Sequence, residues 1–335
     1  MAEFAEATAK GRWHGLALGL LLALAAGTAL AGGCQAPSLG PGLCDADVDG
    51  VADPPRQARE WLDPPTLVIG VVALSGSGPG LVAVRANLEP LRAHIERQLG
   101  RKTVFLLARD TRDLSRAFRA QQAHLVLMHT GAVEEEVACG GLLPLAQPVG
   151  ADGELSGYRM EIVVPAASPV RELAQLRGLT LTFVDESSAS GYKLPVALLR
   201  REAGLELGRD YRAEFSGRHD GSILAVSGGL AQAAAVAGSI RRRLEREGLV
   251  TRDSLRVIYA SQVLPKPPWG VSHRLHPQRV QALRAALLSF PGGPKGLQEG
   301  DSLRPARYRE DWAGMRELNR LIGSTPSCLR APARP

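Results

Sequence analysis

The chain has 335 residues, of which 45% are hydrophobic and 22% are charged. This composition excludes a largely disordered chain, and the length favours two domains. The net charge is +6, but the arginines are scattered and only 4% of residues are aromatic. Because stacking groups and a continuous basic surface are both lacking, we expect no nucleic-acid partner.

The first 34 residues have the pattern of an export signal. Basic side chains precede an apolar run at 16–30, which is short for a membrane span and suits the core of a signal peptide. Small residues at 29–31 fit ordinary signal peptidase, whereas AGGC at 31–34 resembles a lipobox with Cys34 as the lipidated residue. We expect an exported protein of the periplasm or cell envelope, and we favour a lipid anchor on Cys34.

The segment 35–65 is predicted to be a linker that carries an acidic turn, CDADVDG. Asp45, Asp47 and Asp49 have the spacing that opens an EF-hand calcium loop. The closing position, which should be Glu, is Arg56. A plain acidic turn is therefore favoured over a partial calcium loop, and no other metal site and no cofactor is expected.

The cysteines other than Cys34 are Cys44, Cys139 and Cys328. An exported compartment permits disulfides, so one pair is expected among these three. The sequence does not choose the pair, and an unmodified Cys34 would allow two pairs.

From residue 66 the pattern alternates between strand and helix. Apolar runs at 66–74, 102–108 and 124–131 predict strands, and helical periodicity covers 81–100 and 114–122. This β-α-β-α-β order predicts a parallel sheet covered by helices.

A second α/β unit is predicted to begin near residue 158. Its predicted strands are 158–166, 179–184, 254–262 and an edge strand at 211–215. Helices are predicted after residue 191 and from about 221, and the remainder of the chain is largely helical, at 277–290 and 308–323.

The stretch DESSASG, at 185–191, lies between a predicted strand and a predicted helix. The first turn of a helix has N–H groups without intrahelical partners, and these groups attract anions. Ser188 and Ser190 would add hydroxyl donors, so the stretch is either a helix cap or an anion-binding turn. A catalytic serine is disfavoured because the position two before each of these serines is not glycine. No catalytic residue is predicted.

Two more side chains are candidates for the same site. His219 precedes a predicted helix start at Gly221–Ser222, and there it would either donate to an oxyanion, most strongly when protonated, or cap a turn. Thr130 lies where a predicted strand meets a glycine, so its hydroxyl could face a cleft.

Together, these segments resemble the phosphate/phosphite/phosphonate-binding family of ABC-importer substrate-binding proteins. The resemblance is carried by CDADVDGVADPP and by the residues 129–144, 157–165, 185–199, 215–226, 231–239 and 256–265. It implies an α/β fold of the type II periplasmic-binding class, in which two α/β lobes are joined by two crossover strands with the ligand cleft between them. Lobe one would hold 66–157 and 262–335, lobe two would hold 158–255, and 256–261 would form the second crossover.

The resemblance also implies a function and a site. The protein would capture a phosphonate, phosphite or phosphate and deliver it to an ABC permease in the inner membrane, acting as a monomer and without catalysis. The implied ligand-binding residues are Thr130, Tyr158, Ser188, Ala189 through its N–H, Ser190 and His219. Ala189 departs from the family pattern because a hydroxyl residue usually stands there, and Gln232 replaces a frequent aspartate.

Two other functions stay open on the sequence alone. One is an exported serine hydrolase that uses Ser188 or Ser190. The other is a sensor that binds the same ligand and docks a receptor instead of a permease.

Overall fold

Two β-sheets organise the part of the chain that the computed structural model describes, which is 39–72, 79–150, 157–291 and 302–330, without the side chains of 79–83. These residues belong to one compact unit, Cys34–Pro335. The predicted export signal lies outside the described residues.

The strands and helices follow one another in the alternating order that the sequence predicts for an α/β protein. The strands are β1 (Leu67–Val72), β2 (Thr103–Ala108), β3 (Leu125–Leu127), β4 (Leu142–Val149), β5 (Gly157–Pro165), β6 (Thr180–Phe183), β7 (Arg212–Phe215), β8 (Ala233–Ala237), β9 (Leu255–Pro265), β10 (Trp269–Ser272) and β11 (Ser302–Pro305). The helices are α1 (Pro79–Leu99), α2 (Thr111–Arg119), α3 (Val133–Gly140), α4 (Leu194–Ala203), α5 (His219–Ser227), α6 (Gly238–Arg246), α7 (Pro277–Leu288), α8 (Tyr308–Asp311) and α9 (Ala313–Leu321).

The first sheet has the strand order β11-β4-β10-β3-β1-β2. β1 pairs in parallel with both β2 and β3, which confirms the predicted parallel arrangement. β10 pairs antiparallel with β3 and β4. Ile69 and Leu125 at its centre are completely buried. Gly70 allows α2 to pack closely, because a Cβ at this position would lie 2.8 Å from the side chain of Leu114.

The second sheet has the order β7-β6-β8-β5-β9, with β7 at an edge as predicted. β6 pairs in parallel with β7 and β8, and β5 pairs antiparallel with β8 and β9. β8 has the sequence AAAVA, and every residue in it is buried. The sequence analysis did not predict this strand, because alanine is the strongest helix former and a weak strand former.

The chain passes between the two sheets twice, between β4 and β5 and between β9 and β10. The second passage follows a long strand, since β9 stays paired with β5 as far as Pro265, which lies opposite Gly157. Two mixed α/β sheets joined in this way agree with the predicted fold class. The exact boundaries of the two lobes remain a prediction.

The segment predicted to be a linker lies against the first sheet and its helices over its described part, 39–65. Leu39 and Ala52 are buried, and the N–H of Gly40 donates to the carbonyl of Ala138 over 2.7 Å. The N–H of Leu62 donates to the carbonyl of Arg274. This segment is therefore part of the folded body.

A disulfide joins Cys139 on α3 to Cys328 in the short 3₁₀ turn Ser327–Leu329. It resolves one pairing that the sequence left open, and it ties the C-terminal segment to the first sheet through α3. Cys34 lies outside the described residues. Over the part of the chain that is described, no helix is both long enough and apolar enough to cross a membrane.

Candidate anion-binding site

A cleft lies where the carboxyl ends of parallel strands from both sheets face one another. It occupies about 580 Å³ when its open mouth is counted. In open α/β sheets, ligands bind outside the carboxyl ends of the strands. The side of the first sheet contributes Val72, Arg109, Asp110, Thr111 and His129, and the side of the second contributes Val184, Asp185, Ser188, Gly217, Arg218, His219, Asp220, Ile240 and Arg243.

Four helical segments begin at this cleft. α2 begins at Thr111, α5 at His219 and α6 at Gly238, and the π-helical turn Ala189–Lys193 runs directly into α4. The first turn of each segment presents N–H groups that lack intrahelical acceptors, and the positive end of each helix dipole lies there. The backbone alone therefore gives this cleft a preference for anions.

The turn around Ser188 is held in place by its own side chains. Oδ1 of Asp185 accepts a hydrogen bond from the N–H of Ser187 over 2.8 Å, and Oγ of Ser188 accepts one from the N–H of Gly191 over 3.0 Å. A Cβ at position 191 would lie 2.5 Å or less from Val184, so the turn needs glycine there. Ser188 is thus a helix cap, as one of the two interpretations predicted. Its hydroxyl proton remains able to donate to a ligand in the cleft.

Three other predicted ligand-binding residues lie together beneath the cleft and do not line it. Ser190 is fully buried, and its Oγ has no hydrogen-bond partner of acceptable geometry. Burial raises the pKa of Tyr158, and the neighbouring hydroxyls of Ser190 and Thr130 oppose this shift. Oγ1 of Thr130 donates to the carbonyl of Pro265 over 2.8 Å, so its proton is already used by the protein.

The turn that follows β3 packs directly onto the Ser188 turn. A Cβ at Gly131 would lie 2.1 Å from the carbonyl oxygen of Ser187 and 2.6 Å from the amide nitrogen of Ala189. Lys193 donates from Nζ to the carbonyl of Gly131 over 2.7 Å, and burial lowers the pKa of this lysine. The N–H of Ala189 therefore lies at a close contact between elements of the two sheets, which the sequence analysis did not foresee.

His219 is held as a neutral donor. Its Nδ1 accepts a hydrogen bond from the N–H of Ala237 over 3.0 Å, which places the proton of the neutral ring on Nε2. Burial, together with the neighbouring His129, lowers the pKa of His219 to about 4. The neutral ring can still donate from Nε2 to an oxyanion, whereas a proton on Nδ1 would break the bond to Ala237.

The cleft also contains residues that the sequence analysis ranked low or missed. His129 was not among the predicted ligand-binding residues, yet its ring lines the cleft and its Nδ1 shares a hydrogen bond with Oγ1 of Thr111 over 2.8 Å. Burial also lowers the pKa of His129. Thr111 has no motif around it, and the basic run at 241–247 that contains Arg243 is typical of a solvated helix face. Only the fold therefore reveals both as cleft residues.

The carboxylates of the acidic turn accept hydrogen bonds from backbone N–H groups of the same turn. The carboxylate of Asp45 accepts from the N–H groups of Asp49 and Gly50, each over 3.0 Å, and Oδ1 of Asp49 accepts from Val51. Oxygens of Asp45, Asp47 and Asp49 lie within 4.8 Å of one another. These bonds are those of an acidic turn, the interpretation that the sequence favoured.

The chain passes twice between two mixed α/β sheets, and a cleft lies between the strand ends of these sheets. This arrangement defines a binding protein of the type II periplasmic class. The family model for the periplasmic phosphonate substrate-binding proteins of ABC transporters matches residues 82–310. The chain belongs to this family.

Individual relatives agree with that assignment. The chain is 23% identical over 297 residues to a phosphate-import protein, PhnD, of Mycolicibacterium smegmatis, with 82% of this chain and 91% of the relative covered. A solved structure of PhnD1 from Prochlorococcus marinus with methylphosphonate has a TM-score of 0.63 at 16% identity, covering 78% of this chain and all of that one. A phosphonate-transporter binding protein from Pseudomonas aeruginosa has a TM-score of 0.64 at 20% identity, covering 80% and 90%.

Proposed function

We propose that this protein is an exported, non-enzymatic substrate-binding protein that captures a phosphorus oxyanion in its cleft and delivers it to an ABC permease. The observation that carries the proposal is the convergence of four helical amino-termini from both sheets on one cleft. Such helix termini supply several N–H donors and the positive ends of helix dipoles, which together suit a tetrahedral oxyanion.

In this proposal, Ser188 and His219 are the side chains that donate to the oxyanion. Both line the cleft, and no hydrogen bond from the described residues reaches Nε2 of His219. The N–H groups of Ala189 and Ser190 and the hydroxyl of Tyr158 are proposed to complete the set. Thr130, whose hydroxyl donates to Pro265, is proposed to hold the turn after β3 against the Ser188 turn. Closure around the ligand would then exclude water that competes for these donors.

The relatives suggest which oxyanions to test. One relative is described as a phosphate importer, and one structure holds methylphosphonate. Phosphate, phosphite and alkylphosphonates are therefore the first ligands to consider. Export, a lipid anchor on Cys34, a monomeric state, and lobes formed by 66–157 with 262–335 and by 158–255 are parts of the same proposal.

The serine hydrolase alternative is disfavoured by the tautomer of His219. A general base must accept the proton of the nucleophilic serine, but Nε2 already carries a proton and Nδ1 is held by Ala237. No observation favours the sensor alternative over transport, and the partner that the protein binds at the membrane distinguishes them.

A thermal-shift panel tests the proposed function. We expect phosphate, phosphite or methylphosphonate to stabilise the protein, by about 2.7 kcal/mol at a ligand concentration 100 times the dissociation constant. Sulfate and chloride serve as controls for general anion effects. Equal stabilisation by every anion, or by none, would contradict a specific phosphorus-oxyanion site.

A further inference from the structure

Arg243 forms part of the cleft wall on α6, the helix that begins directly after Ala237. Because Ala237 holds the ring of His219, α6 starts beside the donor proposed for the oxyanion. Ile240 and Arg243 are three residues apart on this helix and both line the cleft. Arg243 therefore lines the same cleft as His219, about two helical turns after Ala237 on α6.

The acidic side chains of the cleft are already engaged by the protein. Asp110 accepts from the N–H of Asp113 over 2.7 Å, and Asp185 accepts from the N–H of Ser187. Asp220 lies 3.2 Å from Nε of Arg218. Each of these carboxylates therefore already has a partner within the protein.

The three arginines of the cleft differ in how closely each is paired with a carboxylate of the protein. Arg109 is paired with Asp113, and Arg218 is paired with Asp220. Arg243 makes no hydrogen bond with the described residues, its Nε is buried without a partner, and its one carboxylate neighbour, Glu247, is 3.9 Å away. It is costly to bury a guanidinium whose Nε has no partner and whose nearest carboxylate is at the limit of an ion pair, unless a ligand satisfies it.

We propose that Arg243 binds a second acidic group of the ligand, so that this protein prefers phosphorus oxyanions that also carry a carboxylate or a further phosphate. This inference rests on the proposed function, because it assumes that the first oxyanion occupies the helix termini near His219. The planar guanidinium can donate two parallel hydrogen bonds to a carboxylate or phosphate. The apolar side chains that line the same cleft, Val72, Val184 and Ile240, suit a short carbon chain between the two acidic groups.

The test compares short alkylphosphonates that carry second groups of different charge on a one- or two-carbon chain. Calorimetry would measure binding of ethylphosphonate, phosphonoacetate, 3-phosphonopropionate and 2-aminoethylphosphonate, whose second groups are neutral, negative, negative and positive. We expect at least one of the two carboxylates to bind about tenfold or more tightly than ethylphosphonate, the size of a charge-assisted hydrogen bond. The aminophosphonate should bind more weakly than ethylphosphonate.

Two variants on the same helix assign that preference to one residue. Arg243→Met should bring the carboxylates to within about threefold of ethylphosphonate, while its affinity for ethylphosphonate changes by less than about threefold. Arg246→Met is the matched control, because Arg246 is exposed on α6 and does not line the cleft. Thermal unfolding of both variants checks that they are folded.

The outcomes separate the two levels of the proposal. If the wild-type protein binds none of these ligands, nor phosphate or phosphite, the proposed function itself fails. If ethylphosphonate binds but neither carboxylate binds more tightly, or if Arg243→Met weakens all four ligands equally, the role of Arg243 is overturned while the oxyanion site stands.

Discussion

Adding a single methyl group at Gly131 is expected to separate the two turns that meet beneath the cleft. The new Cβ would lie 2.1 Å from the carbonyl oxygen of Ser187, whereas ordinary contact begins at 3.4 Å. The turns must therefore move apart by more than 1 Å in that direction, since the crowded atoms are backbone and cannot rotate away. Gly131 is not among the residues with positive φ, so the methyl group is the whole perturbation.

This displacement should reach the ligand because it acts on the turn that carries Ser188 and the N–H of Ala189. Overpacking of this kind costs about 1–3 kcal/mol. If the substitution destabilises the ligand-bound protein by this amount relative to the unliganded protein, affinity for the preferred phosphorus oxyanion falls by about 5- to 150-fold. Calorimetry on Gly131→Ala measures this loss, and urea unfolding measures any loss of stability in the unliganded protein.

Gly314→Ala is the matched control for Gly131→Ala. Gly314 is exposed on α9, has no neighbour within 4 Å of a built Cβ and does not have a positive φ. Its substitution should leave affinity unchanged and stability equal or slightly higher, as alanine favours a helix. If Gly131→Ala binds ligand and unfolds as the wild type does, the turn after β3 does not contact the Ser188 turn in the bound protein. Our description of that contact would then be wrong.

Three further predictions concern the elements that hold the site. Lys193→Met should lower the free energy of unfolding by about 1–3 kcal/mol, because the buried carbonyl of Gly131 loses its partner. The exposed control Lys102→Met should change it by less than about 0.5 kcal/mol. Equal effects of the two variants in urea unfolding would refute a stabilising role for the Lys193 hydrogen bond. Replacing Cys139 and Cys328 with serine should cost about 2–5 kcal/mol, since their disulfide closes a loop with a sequence separation of 189, and an unchanged melting temperature would contradict that. His219 is neutral in the folded protein but takes up a proton below pH 6.5 when unfolded. Between pH 6.5 and 4, the free energy of unfolding of the wild type should therefore fall by up to about 3 kcal/mol more than that of His219→Asn. Parallel curves of stability against pH for the two proteins would count against a depressed pKa.

The parallel cores of both sheets could be predicted from the sequence because their strands are short apolar runs flanked by helical periodicity. β1 and β6 are of this kind. The parallel pairing of β1 was expected, and β6 pairs in parallel with β7 across a helix in the same way. β4 was missed because its sequence, LLPLAQPV, contains two prolines, which are rare inside a sheet. β8 was missed because burial between helices favours small alanines over the β-branched residues that mark a strand.

The anion site was predictable to the extent that it depends on local sequence. The Ser188 cap and the helix start at His219 both follow from residue types within one turn. The contact of Gly131 with the Ser188 turn and the placement of Arg243 depend on packing between distant segments. The charge state of His219 also depends on a distant partner, the N–H of Ala237.

The most direct test of the central claim is calorimetry of wild-type protein and of the double variant Ser188→Ala/His219→Ala with phosphate, phosphite and methylphosphonate. We predict that the wild type binds at least one of these ligands with one-to-one stoichiometry and that the folded double variant has lost this binding. Unchanged affinity in the double variant would show that the oxyanion is not held at this cleft.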